Sequence, residues 1–488
     1  MKLEKIVALL ILLSVPSALA DSTAVQTNDF NAYGGGSGTI TQSGTNIAIV
    51  NGDGNYVSQY NDKDATLNSW GTSSIAQSVS NYADVYGYGN TIYQDNIGSA
   101  YTDGSALDAV ITQTDTNMAF IGMDAWSEYN LVDQSNVQTA TITDSAVGDS
   151  ITQTLTNLGY VDGYENMLIE DNNANAVSEG YQDNSIDQAQ TSMGDITGYY
   201  NYMEQGNIAD AYIDEALLAV IDQDQSNIGY QNGESNSMFQ DNYADADDAV
   251  NDAWSLIDQD QTNYGEQNGY WNWLDQGSNN AAALMYDSEE STITQTQTNL
   301  AQMFDTANVA YQDNYAYAEG GMWGDVVDQD QVNQLVQDGL SNYAVQNNNA
   351  NAYLWTDSWY ETLTQAQTNL ADEYGIDNDA WQQNDATIDA YAGQYNVVNQ
   401  AQTNLADLDG WDSQASQYNY AYAYPDQASW DGVDTISQTE SNMAFVSDNW
   451  NPAYDTAVQN NYLNAYQYSD TNVAISQTSN NLATIVGA

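Results

Sequence analysis

The sequence predicts an all-β chain, a two-sheet β-solenoid of stacked β-arches with about 36 residues per rung and asparagine and glutamine ladders inside it. Three observations predict this. One motif recurs along the chain at a nearly fixed spacing, its residues alternate with a period of two, and glycine, asparagine and aspartate collect between copies.

The chain opens with MKLEKIVALLILLSVPSALA, which has a lysine-bearing start, an apolar run from Ile6 to Val15, and small residues at Ala18 and Ala20. That run is too short to cross a bilayer about 30 Å thick. Residues 1–20 are therefore expected to be a signal peptide cut after Ala20, which makes the mature chain a secreted one. Removing them takes away two of the three basic residues and one of the 68 acidic ones, leaving Lys63 against 67 acids and a net charge of -66. Nucleic acid and anionic membranes are repelled by such a chain. Histidine and cysteine are absent, so an exported form must be held by burial, backbone pairing or cations instead of disulfides.

Two units alternate through the rest. Unit A reads ITQTDTNMA at 111, IDQDQSNIG at 221, ITQTQTNLA at 293 and LTQAQTNLA at 363. Its first glutamine recurs from Gln42 to Gln477 in thirteen copies 34 to 40 residues apart, always two residues after Ile, Val or Leu. Four residues beyond it stands Asn, except at Ser192. Unit B reads NVAYQDNYAYA at 308 and NSMFQDNYADA at 236, with Asn two residues after its glutamine except at Ser278, and with Glu170 in the glutamine slot of one copy. The step from A to B is 17 residues in ten of twelve cases.

In IDQDQTN, Ile257, Gln259, Gln261 and Asn263 share one side and Asp258, Asp260 and Thr262 the other, which is strand alternation. A whole-chain repeat of such strands implies stacked arches. Identical residues then recur about 4.8 Å apart, the spacing at which each side-chain amide donates to one neighbour and accepts from the other. The expected ladder residues are Gln113, Asn117, Gln153, Asn157, Gln223, Asn227, Gln259, Asn263, Gln295, Asn299, Gln365 and Asn369 in unit A, with Gln240, Asn242, Gln312 and Asn314 in unit B. A buried amide is costly unless so satisfied.

The resulting organisation is a signal peptide (1–20), a leading B half-repeat with a Gly-rich linker (21–39), twelve AB repeats (40–470) and a terminal A half-repeat (471–488). DSTAVQTNDFNAY at 21 nearly repeats DTAVQNNYLNAY at 455, which places Gln26 and Asn28 in a B unit and Gln477 and Asn481 in an A unit. These four are expected to be assembly termini, the terminal A of one copy being completed by the leading B of the next.

QTQTNLA and QDNYAYA, with Gln and Asn at fixed spacing and then a small residue, resemble the curlin repeat of secreted functional amyloids over nearly all of the mature chain. They depart from it in having Gln, where that repeat has Gly, two residues after the first Gln. In its acidic, Tyr-rich and Asn-rich composition the chain is also similar to the sheath (hoop) proteins of methanogenic archaea. Either resemblance implies self-assembly into a resistant extracellular fibre, hoop or tube, and no catalysis.

The remaining candidates are surface features. Asp222, Asp224, Asp258 and Asp260 on the outer side of unit A, and Asp245, Asp247 and Asp248 in the run ADADD, offer hard oxygen ligands for Ca²⁺ or another divalent cation, against the reading of a solvated acidic face. In register, Asp222 would lie over Asp258 and Asp224 over Asp260. Carboxylate pairs are too numerous to mark a glycosidase, and no His, Arg or Cys is present to position a substrate. Outward threonines form T-x-T rows like those of ice-binding solenoids, but Asp187, Asp222, Asp258 and Asp328 interrupt them. The 38 tyrosines and 12 tryptophans are expected to stack in columns or line subunit contacts. The expectation is a self-assembling homopolymer joined head to tail, not an enzyme and needing no cofactor. The alternative is a monomeric acidic adhesin or a carbohydrate-, ice- or Ca²⁺-binding solenoid.

Overall fold

The computed structural model describes residues 11–14, 23–68, 71–103, 108–122, 129–145, 147–180, 182–214, 217–249, 254–285, 289–320, 324–354, 360–391, 396–426, 434–448, 456–465 and 473–487. Every element among them is a β-strand, and none is a helix. The chain divides into two compact units, Met1–Asp245 and Ala246–Ala488. Each is built of two parallel sheets, one carrying the A strands and one the B strands.

In the first unit the A strands Gly38–Asn51, Ser73–Tyr86, Ala109–Ile121, Ser150–Tyr164, Ser185–Tyr199 and Val220–Asn232 lie side by side in chain order. Their register superposes Gln42, Gln77, Gln113, Gln153, Gln188 and Gln223. The B strands Thr23–Gly35, Tyr56–Asn68, Thr91–Asp103, Leu131–Ser145, Met167–Gly180 and Tyr202–Asp214 superpose Gln26, Gln59, Gln94, Gln134, Glu170 and Gln205 in the same way. A short strand, Ile11–Ser14, pairs with Thr45–Ala48 of the first A strand. The other residues of the expected leader lie outside the described residues.

The second unit repeats the plan. Its A strands Leu256–Asn268, Thr292–Phe304, Val326–Leu340, Thr362–Ile376, Val397–Trp411, Asp434–Asp448 and Val473–Gly487 align Gln259 through Gln477. Its B strands Trp273–Met285, Val309–Gly320, Tyr343–Leu354, Asp379–Tyr391, Gln414–Asp426 and Thr456–Ala465 align Gln276 through Gln459. Where the A-to-B step lengthens to 21 residues, as from Gln438 to Gln459, the register is still kept.

Burial follows the alternation. The aliphatic column Ile75, Ile111, Ile151, Ile186 and Ile221 is sealed between the sheets of the first unit, and Ile257, Ile293, Val327, Leu363, Val398 and Ile436 fill the same slot of the second. Alanines such as Ala316, Ala350, Ala386 and Ala421 line the opposing B strands, keeping the two sheets close. The corners are set by glycine: a Cβ on Gly198, at φ +132, would lie 1.7 Å from the carbonyl oxygen of Gly163 beneath it. At that contact only glycine fits, whereas the equivalent position between Gly269 and Gly339 is held by Asp305 at φ 83.

One slot departs from the sequence reading. Ser278 was the exception in the Asn column of unit B, but a β-bulge after Gln276 moves Asn279 into register with Asn314. The signal was present, because Asn279-Asn-Ala281-Ala-Ala283 reproduces the spacing of Asn314, Ala316 and Ala318. An extra residue is accommodated by bulging the strand because losing the buried amide would cost more.

Candidate functional site

The inner side chains are the chemically organised part of the molecule. Along the A sheet each glutamine donates through Nε2 to the Oε1 of the glutamine before it: Gln113 to Gln77 at 2.8 Å, Gln153 to Gln113 at 2.9 Å, Gln223 to Gln188 at 2.8 Å. In the second unit Gln295 donates to Gln259 at 2.8 Å and Gln365 to Gln329 at 2.9 Å. The B sheet does likewise, Gln240 to Gln205 and Gln312 to Gln276, each at 2.8 Å. The second N–H of many of these amides crosses to a backbone carbonyl of the other sheet, as from Gln295 to Tyr317 O at 2.9 Å. Each amide therefore ties its own sheet lengthwise and both sheets crosswise.

The asparagines form a staircase that alternates between sheets and runs the other way. Asn96 donates to Asn117 and to Asn136 at 2.9 Å each, and Asn117 to Asn136 at 3.0 Å and Asn157 at 3.1 Å. Asn227 donates to Asn242 at 3.1 Å, Asn263 to Asn299 at 3.1 Å, Asn299 to Asn314 at 3.0 Å and Asn333 to Asn369 at 3.0 Å. Ser192, the odd residue of unit A, keeps the staircase intact, since its hydroxyl accepts from Asn172 at 3.1 Å and donates to Asn207 at 3.4 Å. All the sequence-predicted ladder residues named above are buried.

Two further ladders were not foreseen. The second glutamine of Q-x-Q stacks, Gln297 on Gln261 at 3.0 Å, Gln331 on Gln297 at 2.7 Å and Gln367 on Gln331 at 2.9 Å. At the corner before most B strands an asparagine caps the corner beneath it, with Asn55 N donating to Asn90 Oδ1 at 2.9 Å and Asn201 N to Asn236 Oδ1 at 3.0 Å, while Ser413 takes that slot before Gln414–Asp426. The leading Asn of NVAYQDN and NSMFQDN was the signal for this second set.

Three buried glutamates follow a glutamine in register. Glu170 lies in register between Gln134 and Gln205, Glu373 beside Gln337, and Glu440 beside Gln402. Gln205 Nε2 donates to Glu170 Oε2 at 2.8 Å, as it would to a glutamine. On the other side the Oε1 atoms of Gln134, Gln337 and Gln402 are buried and have no donor among the described residues. Burial pushes the Glu170 carboxyl up to about 8, against the hydrogen bonds from Gln205 and the Gly159 backbone, and pushes Glu440 up to about 8 as well. Burial also raises Glu373 far above the ordinary carboxylate range, helped by Asp379 and Asp372. A neutral carboxylic acid has the O–H that the waiting glutamine oxygen lacks and the C=O that the next amide needs. As an acid Glu170 substitutes for glutamine and as a carboxylate it breaks the ladder; in their columns Glu373 and Glu440 can meet only the glutamine before them, since Leu408 and Ser479 follow them in register.

The assembly termini sit at strand edges. Asn28 donates to Asn46 at 3.0 Å and to Asn61 at 2.8 Å, and Gln26 Oε1 accepts from Gln59 at 2.8 Å. Gln477 donates to Gln438 at 2.7 Å and Asn481 Oδ1 accepts from Asn442 at 3.2 Å. The half-repeats expected at 21–39 and 471–488 carry the first and last described steps of the staircase. In Val473–Gly487 the inner column is open: Ile475 and Ile485 are 48 % and 46 % exposed, whereas Ile436 and Val446 beneath them are buried.

Among the described residues no three Asp or Glu side chains come together to hold a metal ion. Asp222 is in register with Asp187, but Asp224 is beside Ala189, and Asp258 and Asp260 are beside Thr294 and Thr296. The run ADADD is split by the strand alternation, with Asp248 buried while Asp245 and Asp247 lie on the half-exposed side. On the outer faces aromatic rings pack from step to step, among them Tyr164 on Tyr199 at 4.9 Å and Trp273 on Tyr311 at 5.1 Å between ring centres.

No known protein family, curated protein or solved structure matches the chain.

Proposed function

We propose that the protein is a structural component of the cell exterior that polymerises by adding copies of itself, strand on strand, into a fibre, hoop or sheath. The observation that carries this reading is the uniform polarity of the ladders. Every described glutamine step donates toward the N-terminal side and every asparagine step toward the C-terminal side, as at Gln295 and Asn299. A C-ward edge therefore offers glutamine oxygens and asparagine N–H groups, and an N-ward edge offers the complementary set. Two copies meet productively head to tail and in no other orientation.

The open inner column of Val473–Gly487 supports the same reading, because the surface exposed at Ile475 and Ile485 is the one each preceding strand buries under the next. The pairing of Ile11–Ser14 with Thr45–Ala48 adds to it: loss of a leader cut after Ala20 would free that stretch of edge in the exported protein. The reading gives the chain no catalytic role. Subunits this acidic repel at low salt, so polymerisation should quicken with divalent cations or as the pH falls toward the carboxylate range. Electron microscopy of the purified protein tests the reading. Fibres or sheets favoured by Ca²⁺ or mild acid are expected, and discrete particles under all conditions would leave the monomeric adhesin as the better description.

A further inference from the structure

Lys63 is the only basic residue beyond Lys5, and it is buried. It sits on the inner side of the B strand Tyr56–Asn68, in a column with Phe30 before it and Gly98 after it. Its Nζ meets Asp115 Oδ1 of the A strand Ala109–Ile121, both side chains having no exposure to solvent. The path between them is cleared by Gly98, where a Cβ would lie 3.2 Å from both Cε and Nζ of Lys63. Gln138, the next residue of that column, stands beside the Asp115 carboxyl, whose Oδ2 is buried and has no hydrogen-bond partner among the described residues. Asp62, the other charge felt by Lys63, belongs to the half-exposed side of the same strand.

An ion pair sealed this way is poorly compensated, because both charges lose their water and only Lys63, Gln138 and the Val79 backbone face the carboxyl. Burial lowers the Lys63 ammonium and raises the Asp115 carboxyl, and each shift favours the uncharged form. A neutral amine held against a neutral acid, in a place from which water is excluded, is the reactant state for amide formation. Condensation removes both charges and releases the oxygen that has no partner.

We propose that Lys63 and Asp115 are joined by an intramolecular isopeptide bond. Nζ adds to Cγ of Asp115. The Oδ2 hydroxyl then leaves with one proton of the amine as a molecule of water, and Oδ1 remains as the amide carbonyl. No oxidant, reductant or cofactor enters the balance. The Gln138 side chain beside the carboxyl is the neighbouring amide from which a hydrogen bond to the developing oxyanion could come. The product staples two strands 52 residues apart in sequence, locking the sheets together near the N-terminal end of the first unit.

The intact mass of the purified wild-type chain decides this. With the N-terminus defined by sequencing, the expected mass is that of the sequence less one water, and the Asp115→Ala chain should show no such loss. The second readout is trypsin on the fully denatured protein. Cleavage after Lys63 is expected to fail in wild type and to succeed in Asp115→Ala, a test that needs no folded variant because both chains are unfolded. A wild-type mass equal to the sequence mass, with normal cleavage after Lys63, overturns the proposal. This result stands apart from polymerisation, which neither requires the bond nor is required by it.

Discussion

Replacing Glu170 by Gln should stabilise the first unit, and by an amount that depends on pH. In the folded state the carboxyl titrates at about 8, against 4.5 for an ordinary glutamate. Its folded value is raised, so its contribution is fully present below pH 4.5, shrinks as the unfolded chain ionises, and is lost as the pH passes 8. At about 1.4 kcal/mol per pH unit, the loss is about 3 kcal/mol by pH 7 and about 5 kcal/mol above pH 8. The amide introduced by Glu170→Gln would donate permanently to Gln134 Oε1 and accept from Gln205, and would carry no such dependence. Guanidinium unfolding of both chains, followed by circular dichroism at pH 4, 7 and 8.5, should show near-equality at pH 4 and a widening advantage for Glu170→Gln. A wild type as stable as the variant at pH 8.5 would refute the account of the glutamate as a protonated stand-in for glutamine.

Gly198→Ala should destabilise the first unit by about 1–3 kcal/mol, because the added carbon meets the Gly163 carbonyl at 1.7 Å in a left-handed backbone; thermal unfolding against wild type checks this. Gln295→Met keeps the volume but leaves Gln259 without its donor, Gln329 without its acceptor and Tyr317 O without its partner. At about 1–3 kcal/mol for each orphaned group, chemical denaturation should show a loss of several kcal/mol, far more than a conservative swap on the outer face such as Thr296→Ser.

The fold was legible because its repeat is carried by the residues that must stack. Ile257, Gln259 and Asn263 recur at one spacing, and alternation assigned them to the interior before any contact was known. What escaped had physical reasons. Asn279 was hidden by a bulge, which no fixed spacing reveals. Glu170 read as an imperfect copy of glutamine because its protonation depends on burial that sequence does not display. Lys63 and Asp115 sit in unrelated units of the repeat and meet only because Gly98 leaves a gap. In the ADADD run, adjacency in sequence is opposition in a strand and sends Asp248 inward.

The most direct test of head-to-tail growth is a chain altered at one edge only. Ile475→Asp with Ile485→Asp places carboxylates on the open inner column of Val473–Gly487 and leaves the N-ward edge untouched. Fibre length by electron microscopy should show that this variant does not polymerise alone. Added in small proportion, it should shorten wild-type fibres, because its intact edge docks and its altered edge accepts no further copy. Wild-type fibre lengths in the mixture, or normal fibres from the variant itself, would contradict the claim that these strands extend one another end to end.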